Sequence, residues 1–292
     1  MSLTLPLLPE AQLAPLVAHY ASVGRDRLRR GMMAALALVA AVALSGWFVE
    51  ADPVRLAANF HRFLDYFTRL AMLENGAGPV WTDPAEWLWG WKHWLVMLGD
   101  TLLMAYVGTL FGAIGGFWVG VLGAGNLVRY AWLRWLVKRL AEFSRTVPEL
   151  VFALLFVLAF GLGPLPGVLA LGIHTLGALG KQISEVVENI DMKPVEGVTA
   201  SGASWLAMVR FAVVPQVLSG FFSYALLRFE VNVRGAAVLG FVGAGGIGQE
   251  LLEAIRKFYY NDIAALLVLI ILTVVVIDTL TGWLRRQLMA TP

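Results

Sequence analysis

Apolar residues run without Asp, Glu, Lys or Arg from Gly31 to Val49, from Thr101 to Val128 and from Leu150 to Gly180. Two further largely apolar stretches follow, at about Phe211 to Arg228 and Ile263 to Trp283. A helix needs about 20 apolar residues to cross a bilayer core, so these runs predict membrane-spanning helices. The Leu150 to Gly180 run is too long for one helix. The sequence Gly161-Leu162-Gly163-Pro164-Leu165-Pro166-Gly167 breaks it, because clustered proline and glycine end a helix. The pattern predicts an all-α, polytopic membrane protein of about six transmembrane helices.

Charge sets the expected orientation. Arg25, Arg27, Arg29 and Arg30 precede the first run, and the stretch from Arg129 to Arg145 holds Arg134, Lys138 and Arg139 against the single acid Glu142. Arg285 and Arg286 close the chain. Basic loops stay inside, so both termini are expected in the cytoplasm. Residues 1–30 then read as a cytoplasmic tail, 31–50 as the first transmembrane helix, and 51–94 as a periplasmic segment. That last segment carries more acids than bases, and Trp81, Trp87, Trp89, Trp91 and Trp94 suit the headgroup level. Residues 95–292 form the remaining transmembrane domain. The tail from Leu7 to Arg30 alternates apolar and polar residues, fitting either a surface helix or a loosely ordered end.

Composition agrees. Hydrophobic residues are 59% and charged residues 14% of the chain, against about 45–50% and 25% in soluble domains. A net charge of +2 points to no nucleic acid, and the absence of cysteine removes disulfides and thiol catalysis.

Several motifs suggest chemistry that their surroundings do not support. Gly243-Ala244-Gly245-Gly246-Ile247-Gly248 matches a dinucleotide fingerprint, but a parallel sheet has no room beside a membrane span. Six glycines between Gly235 and Gln249 instead suggest irregular backbone beside a translocation path. Gly180-Lys181 lacks the rest of a phosphate loop. His19, His61, His93 and His174 show no metal spacing. No Gly-x-Ser-x-Gly elbow occurs.

Charged residues at membrane depth default to functional candidates. Arg228, Glu230, Asn232 and Arg234 cluster where the fifth span is expected to end. Arg228 and Arg234 can attract an anion while Asn232 donates hydrogen bonds; alternatively Glu230 and Arg234 form a local ion pair and Arg228 reaches to the interface. His174 faces either the path or a packing contact. Glu149 reads as a favourable charge at a helix N-terminus.

One segment carries a resemblance. Glu196-Gly197-Val198-Thr199-Ala200-Ser201-Gly202, with Pro215 thirteen residues after the glycine, resembles the Glu-Ala-Ala-x3-Gly loop of ATP-driven importer permeases. Arg145-Thr146-Val147-Pro148-Glu149-Leu150, His174-Thr175, Arg228-Phe229-Glu230-x-Asn232-x-Arg234 and Val242 to Gly248 are similar to the phosphonate ABC transporter permease family. The resemblance runs from about Leu95 to the C-terminus. It implies a type I importer permease of the methionine-permease-like fold in the bacterial inner membrane. Its implied partners are a second permease copy or related permease, two ATPase subunits and a periplasmic phosphonate-type binding protein. The implied substrate is phosphonate, phosphite or hypophosphite.

The chain is then a transport subunit and not an enzyme. It holds no cofactor itself, ATP and Mg being bound by the partner ATPase. Residues 193–207 form the coupling loop, with Glu196, Gly197, Ser201, Gly202 and Pro215 as coupling residues. Gly197 and Val198 depart from the family's two alanines, and Ala212 from its isoleucine. Arg228, Asn232, Arg234, His174, Gly243, Gly245 and Gly246 are the expected path residues. The alternatives are a permease for methionine or molybdate, a membrane-embedded enzyme using the glycine-rich stretch or His174, and a scaffold subunit.

Overall fold

A computed structural model of the chain describes residues 10–50, 52–73 and 78–290. Glu74 and the first nine residues of the expected tail lie outside these. The chain divides into two compact units, residues 1–66 and 67–292. All regular structure among the described residues is helical, apart from one isolated bridge between Met72 and Pro79.

In the first unit, α1 (Glu10–Phe48) is one continuous helix. The surface segment and first span read from the sequence are therefore not separated by a break. Its Asp26–Phe48 portion is long and apolar enough to cross a membrane. Asp52 caps α2 (Pro53–Ala71), its carboxylate accepting from the Val54 and Arg55 amides at 2.9 and 3.0 Å. The boundary between the units falls within α2.

The second unit continues with α3 (Pro84–Trp87), α4 (Trp91–Gly123), α5 (Ala131–Thr146), α6 (Glu149–Phe160) and α7 (Pro164–Glu188). The short helices α8 (Met192–Ala200) and α9 (Trp205–Met208) follow. A π turn (Val209–Val213) leads into α10 (Val214–Leu239), then come α11 (Ile247–Lys257) and α12 (Tyr260–Ala290).

Four segments pass as membrane spans by length and apolarity: Asp26–Phe48, Trp91–Gly123, Trp205–Val242 and Tyr260–Met289. The α5–α6 pair, bent by 88°, makes a fifth if it is one broken span. The expected third span differs most from its reading: α6 has 12 residues and is about 18 Å long, too short alone for a core of about 30 Å. The expected fourth, α7, is long enough but less apolar. Its neighbours bury Ala170, Leu171, Leu179, Ile183 and Val187, so protein rather than lipid surrounds much of it.

Glycines bring α4 against α7. A Cβ added at Gly108, Gly112, Gly116 or Gly120 would meet Leu171, Thr175, Leu179 or Ile183 within 2.9 Å. Each partner lies 63 positions further along, so the two helices run parallel in fixed register. Small residues every fourth position let membrane helices approach this closely. Two parallel helices need a return, and α5 with α6 supplies it.

Three apolar clusters stack along the unit. Val121, Ile183, Val187, Val195, Val213 and Val217 pack at the end carrying α8. Met104, Phe152, Leu171, Val233 and Leu239 fill the middle. Trp94, Ile247, Leu251, Ile263 and Leu266 close the far end. Trp94, expected at the headgroups, is thus buried, whereas Trp89 and Trp91 remain exposed. The Trp89 and Trp87 indoles donate to Asp262 Oδ1 (2.9 Å) and the Asn261 carbonyl (3.2 Å).

Candidate functional site

The segment from Asp191 to Val213 is a helix–turn–helix packed at one end of the bundle. Asp191 caps α8 by accepting from the Lys193 amide at 3.0 Å. Val195 anchors the helix in the apolar cluster while Glu196 and Gly197 face outward, exposed. Ser201 ends α8, its hydroxyl donating to the Val198 carbonyl at 2.7 Å. Gly202 takes φ +82°, the left-handed conformation that L-residues resist, and so turns the chain sharply into α9. Ser204 caps α9. Pro215 sits exposed in the first turn of α10, where its missing N–H costs little.

Hydrogen bonds from Gln216 and Trp205 help fix this segment to the bundle, and sequence reading identified neither. Gln216 on α10 accepts from the Asp191 amide at 3.0 Å and donates to the Asp191 carbonyl at 3.2 Å. The Trp205 indole donates to the Leu127 carbonyl, beyond the end of α4, at 3.3 Å. Their only signal in the sequence was position: a Gln directly after the motif's proline and a Trp just past its glycine.

The charged run on α10 lies inside the helix, not at its end, because α10 continues to Leu239. Its members separate. Asn232 is 1% exposed, and its amide donates to Thr109 Oγ1 on α4 and Thr175 Oγ1 on α7, both at 2.8 Å. That side chain knits three helices. Arg234 pairs with Glu230 at 2.6 Å, and Arg285 on α12 reaches the other oxygen of Glu230 at 3.3 Å. Glu230, 8% exposed at its side chain, is therefore held from two sides, and Arg234 is neutralised on its own helix. The local ion pair is the reading the geometry follows for Arg234.

Arg228 is different. It is half-buried, and among the described residues no carboxylate lies within 4.0 Å of its guanidinium. It shares its surroundings with His174 on α7, Glu149 at the start of α6 and Arg145 at the end of α5. The Glu149 carboxylate lies 3.6 Å from His174 Nδ1. His174 stands about 15 Å along α7 from Pro164 and about 21 Å from Glu188. Arg228 and His174 thus lie near one another, His174 close to the middle of α7, beside the bend that joins α5 to α6.

Gly243, Gly245 and Gly246 all have positive φ (+87°, +82° and +75°) and form a buried turn between α10 and α11. The Gly243 carbonyl accepts from the Gly163 amide at 3.0 Å, joining this turn to the one before α7. Thr101 on α4 accepts from the Ile247 amide at 2.9 Å, and a side chain on Gly246 would strike that threonine. A 3-10 turn rather than a strand precedes these glycines, so the unit a dinucleotide needs is missing there.

Comparison with known proteins follows the same line. Residues 112–290 match the family model described as binding-protein-dependent transport system inner membrane component. The phosphite transport system permease protein PtxC of Stutzerimonas stutzeri is 39% identical over 198 residues, covering 68% of this chain and 72% of that protein. The phosphate-import permease protein PhnE of Mycolicibacterium smegmatis is 34% identical over 250 residues, covering 85% of this chain but only 44% of that longer protein. Among solved structures, the inward-facing MetNI methionine ABC transporter superposes with a TM-score of 0.59 at 24% identity, over 70% of this chain and 98% of that one. That likeness shows the fold.

Proposed function

The chain belongs to the family of binding-protein-dependent transport system inner membrane components, and from that premise we propose that it is the membrane-spanning subunit of an ATP-driven importer for phosphite, a phosphonate or a related phosphorus oxyanion. The names of both curated relatives support the substrate class, one being a phosphite and the other a phosphate transporter. The single observation that carries it here is Arg228: a half-buried guanidinium with no ion pair among the described residues, beside His174 near the middle of α7. An unpaired cation at membrane depth is costly, and a passing oxyanion relieves that cost.

In this reading α8 and α9 dock on a partner ATPase through Glu196, Gly197, Ser201 and Gly202, with Pro215 setting the start of α10. Two ATPase subunits serve two permease copies, and a periplasmic binding protein delivers the substrate. Both termini and α8 face the cytoplasm, and residues 51–94 face the periplasm. ATP and Mg bind the ATPase alone. Closure of the ATPase pair pulls on α8. Gln216 carries the pull into α10, and Trp205 carries it to the end of α4. The path then opens outward, accepts the anion, and returns it inward after hydrolysis. Arg228 and His174 meet the anion, while Asn232, Arg234 and the glycines at 243, 245 and 246 shape the wall around them.

The test is co-purification with the neighbouring ATPase and binding protein, followed by ATPase assays in proteoliposomes. Phosphite, methylphosphonate or phosphate should stimulate hydrolysis when the binding protein is present. Stimulation by methionine or molybdate alone would refute the substrate class. A chain that binds no ATPase would refute the coupling role.

A further inference from the structure

Glu149 is the first residue of α6, and such a carboxylate ordinarily serves the free amides of its own helix end. Among the described residues it accepts no hydrogen bond from those amides; the Val151 and Phe152 amides both turn to the Pro148 carbonyl. Its side chain instead reaches across to two other helices. One oxygen lies 3.6 Å from His174 Nδ1 on α7. The other lies against Gly235 on α10, where an added Cβ would come within 2.8 Å of it. It is also the opposite charge felt by Arg228, about two turns from Gly235 on α10. The side chain is 27% exposed, so it is neither sealed in the core nor free in solvent.

Counting Arg145, the group holds two guanidiniums against one carboxylate. The one carboxylate cannot neutralise both, and the net positive charge of the group favours a second anion. Gly235 gives the carboxylate its seat, since any larger side chain would push it off α10.

We propose that Glu149 is a resident counter-anion: it occupies the neighbourhood of His174 and Arg228 when the path is empty, yields to an incoming phosphorus oxyanion, and returns to help expel it. This rests on the substrate class proposed above. Glu149 and the substrate then compete for the same cations, which keeps the anion weakly held and turnover fast. Glu149 is a positioning residue that acts through Arg228 and His174.

The experiment uses the assembled transporter, with ATPase and binding protein, in proteoliposomes. ATP-driven phosphite uptake is measured for wild type, Glu149→Gln and Glu149→Asp, separating KM from kcat. Removing the competing charge should lower both KM and kcat, on the order of ten-fold each, a usual size for coupling between two sites. Glu149→Asp keeps the charge but withdraws it by one methylene, and should move both constants the same way by less. It supplies the readout if the glutamine variant fails to assemble. An unchanged KM, or a raised KM, in whichever variant assembles overturns the proposal while leaving the substrate class intact. Wild-type complex that takes up none of phosphite, methylphosphonate and phosphate removes the substrate class, and the counter-anion role with it.

Discussion

Replacing Gly202 by valine isolates the contribution of one backbone angle to energy coupling. Gly202 holds φ +82°, and a Cβ built on it meets nothing within 4 Å. No clash enters the calculation, so the whole penalty is conformational. Placing an L-residue in the left-handed region costs about 1–2 kcal/mol, and a β-branched side chain falls at or above the top of that range. At about 1.4 kcal/mol per factor of ten, the turn that presents α8 and α9 together becomes less populated by roughly 30-fold or more with valine there. The bundle itself should stay intact, because Val195 and Trp205 still anchor each helix separately. The assay is phosphite uptake and ATP hydrolysis in the same proteoliposomes, expressed as ATP consumed per phosphite imported. Gly202→Val should raise that ratio several-fold with little change in thermal stability. Gly202→Ala should do so less. Gly99→Ala on α4, where an added Cβ also meets nothing, serves as the control for a substitution at an open glycine. A Gly202→Val transporter with the wild-type ratio would refute the docking role of the turn.

Gln216→Ala removes both hydrogen bonds to Asp191; each is worth about 0.5–1.5 kcal/mol, and the expected result is poorer coupling in the same ATP-per-phosphite assay, with assembly unchanged. Gly112→Leu drives a side chain into Thr175 and the Gly172 carbonyl; overpacking costs about 1–3 kcal/mol or more, and the α4–α7 pair should lose its seam, read as a lower melting temperature in detergent or failure to purify. Asn232→Leu forfeits two buried hydrogen bonds between helices, each about 0.6 kcal/mol in a membrane protein; a drop of a few degrees in melting temperature, with phosphite KM changed less than two-fold, is expected. A large KM rise would return Asn232 to the substrate path.

The apolar runs made the long helices legible because length and freedom from charge are properties of a segment alone. The turn at Gly161 to Pro164 and the position of Gly202 were readable for the same reason: proline and glycine act locally. What the sequence hid depends on neighbours. The run Arg228 to Arg234 looks like one charged cluster, yet Glu230 takes Arg234 and Arg285, Asn232 takes Thr109 and Thr175, and Arg228 alone stays unpaired. Thr109, Thr175 and Arg285 lie 123, 57 and 55 positions from their partners, and no local pattern announces such meetings. Trp94 misled because an indole beside a span suits the headgroups as well as a core. Glu149 was hidden by a sound rule: helix starts do favour acids, but this one spends its charge elsewhere.

The glycine-lined seam between α4 and α7 also dictates how this protein is able to move. Interlocked at four successive positions, the two helices cannot slide past one another by less than one four-residue repeat, about 6 Å. They must swing as a single beam. Helix α7 is about 37 Å long, so a tilt of about 10° about its midpoint shifts each end by roughly 3 Å in opposite directions. A push applied beside Glu188 would then reach the glycine turns at the far side reversed and undiminished, with its fulcrum close to His174.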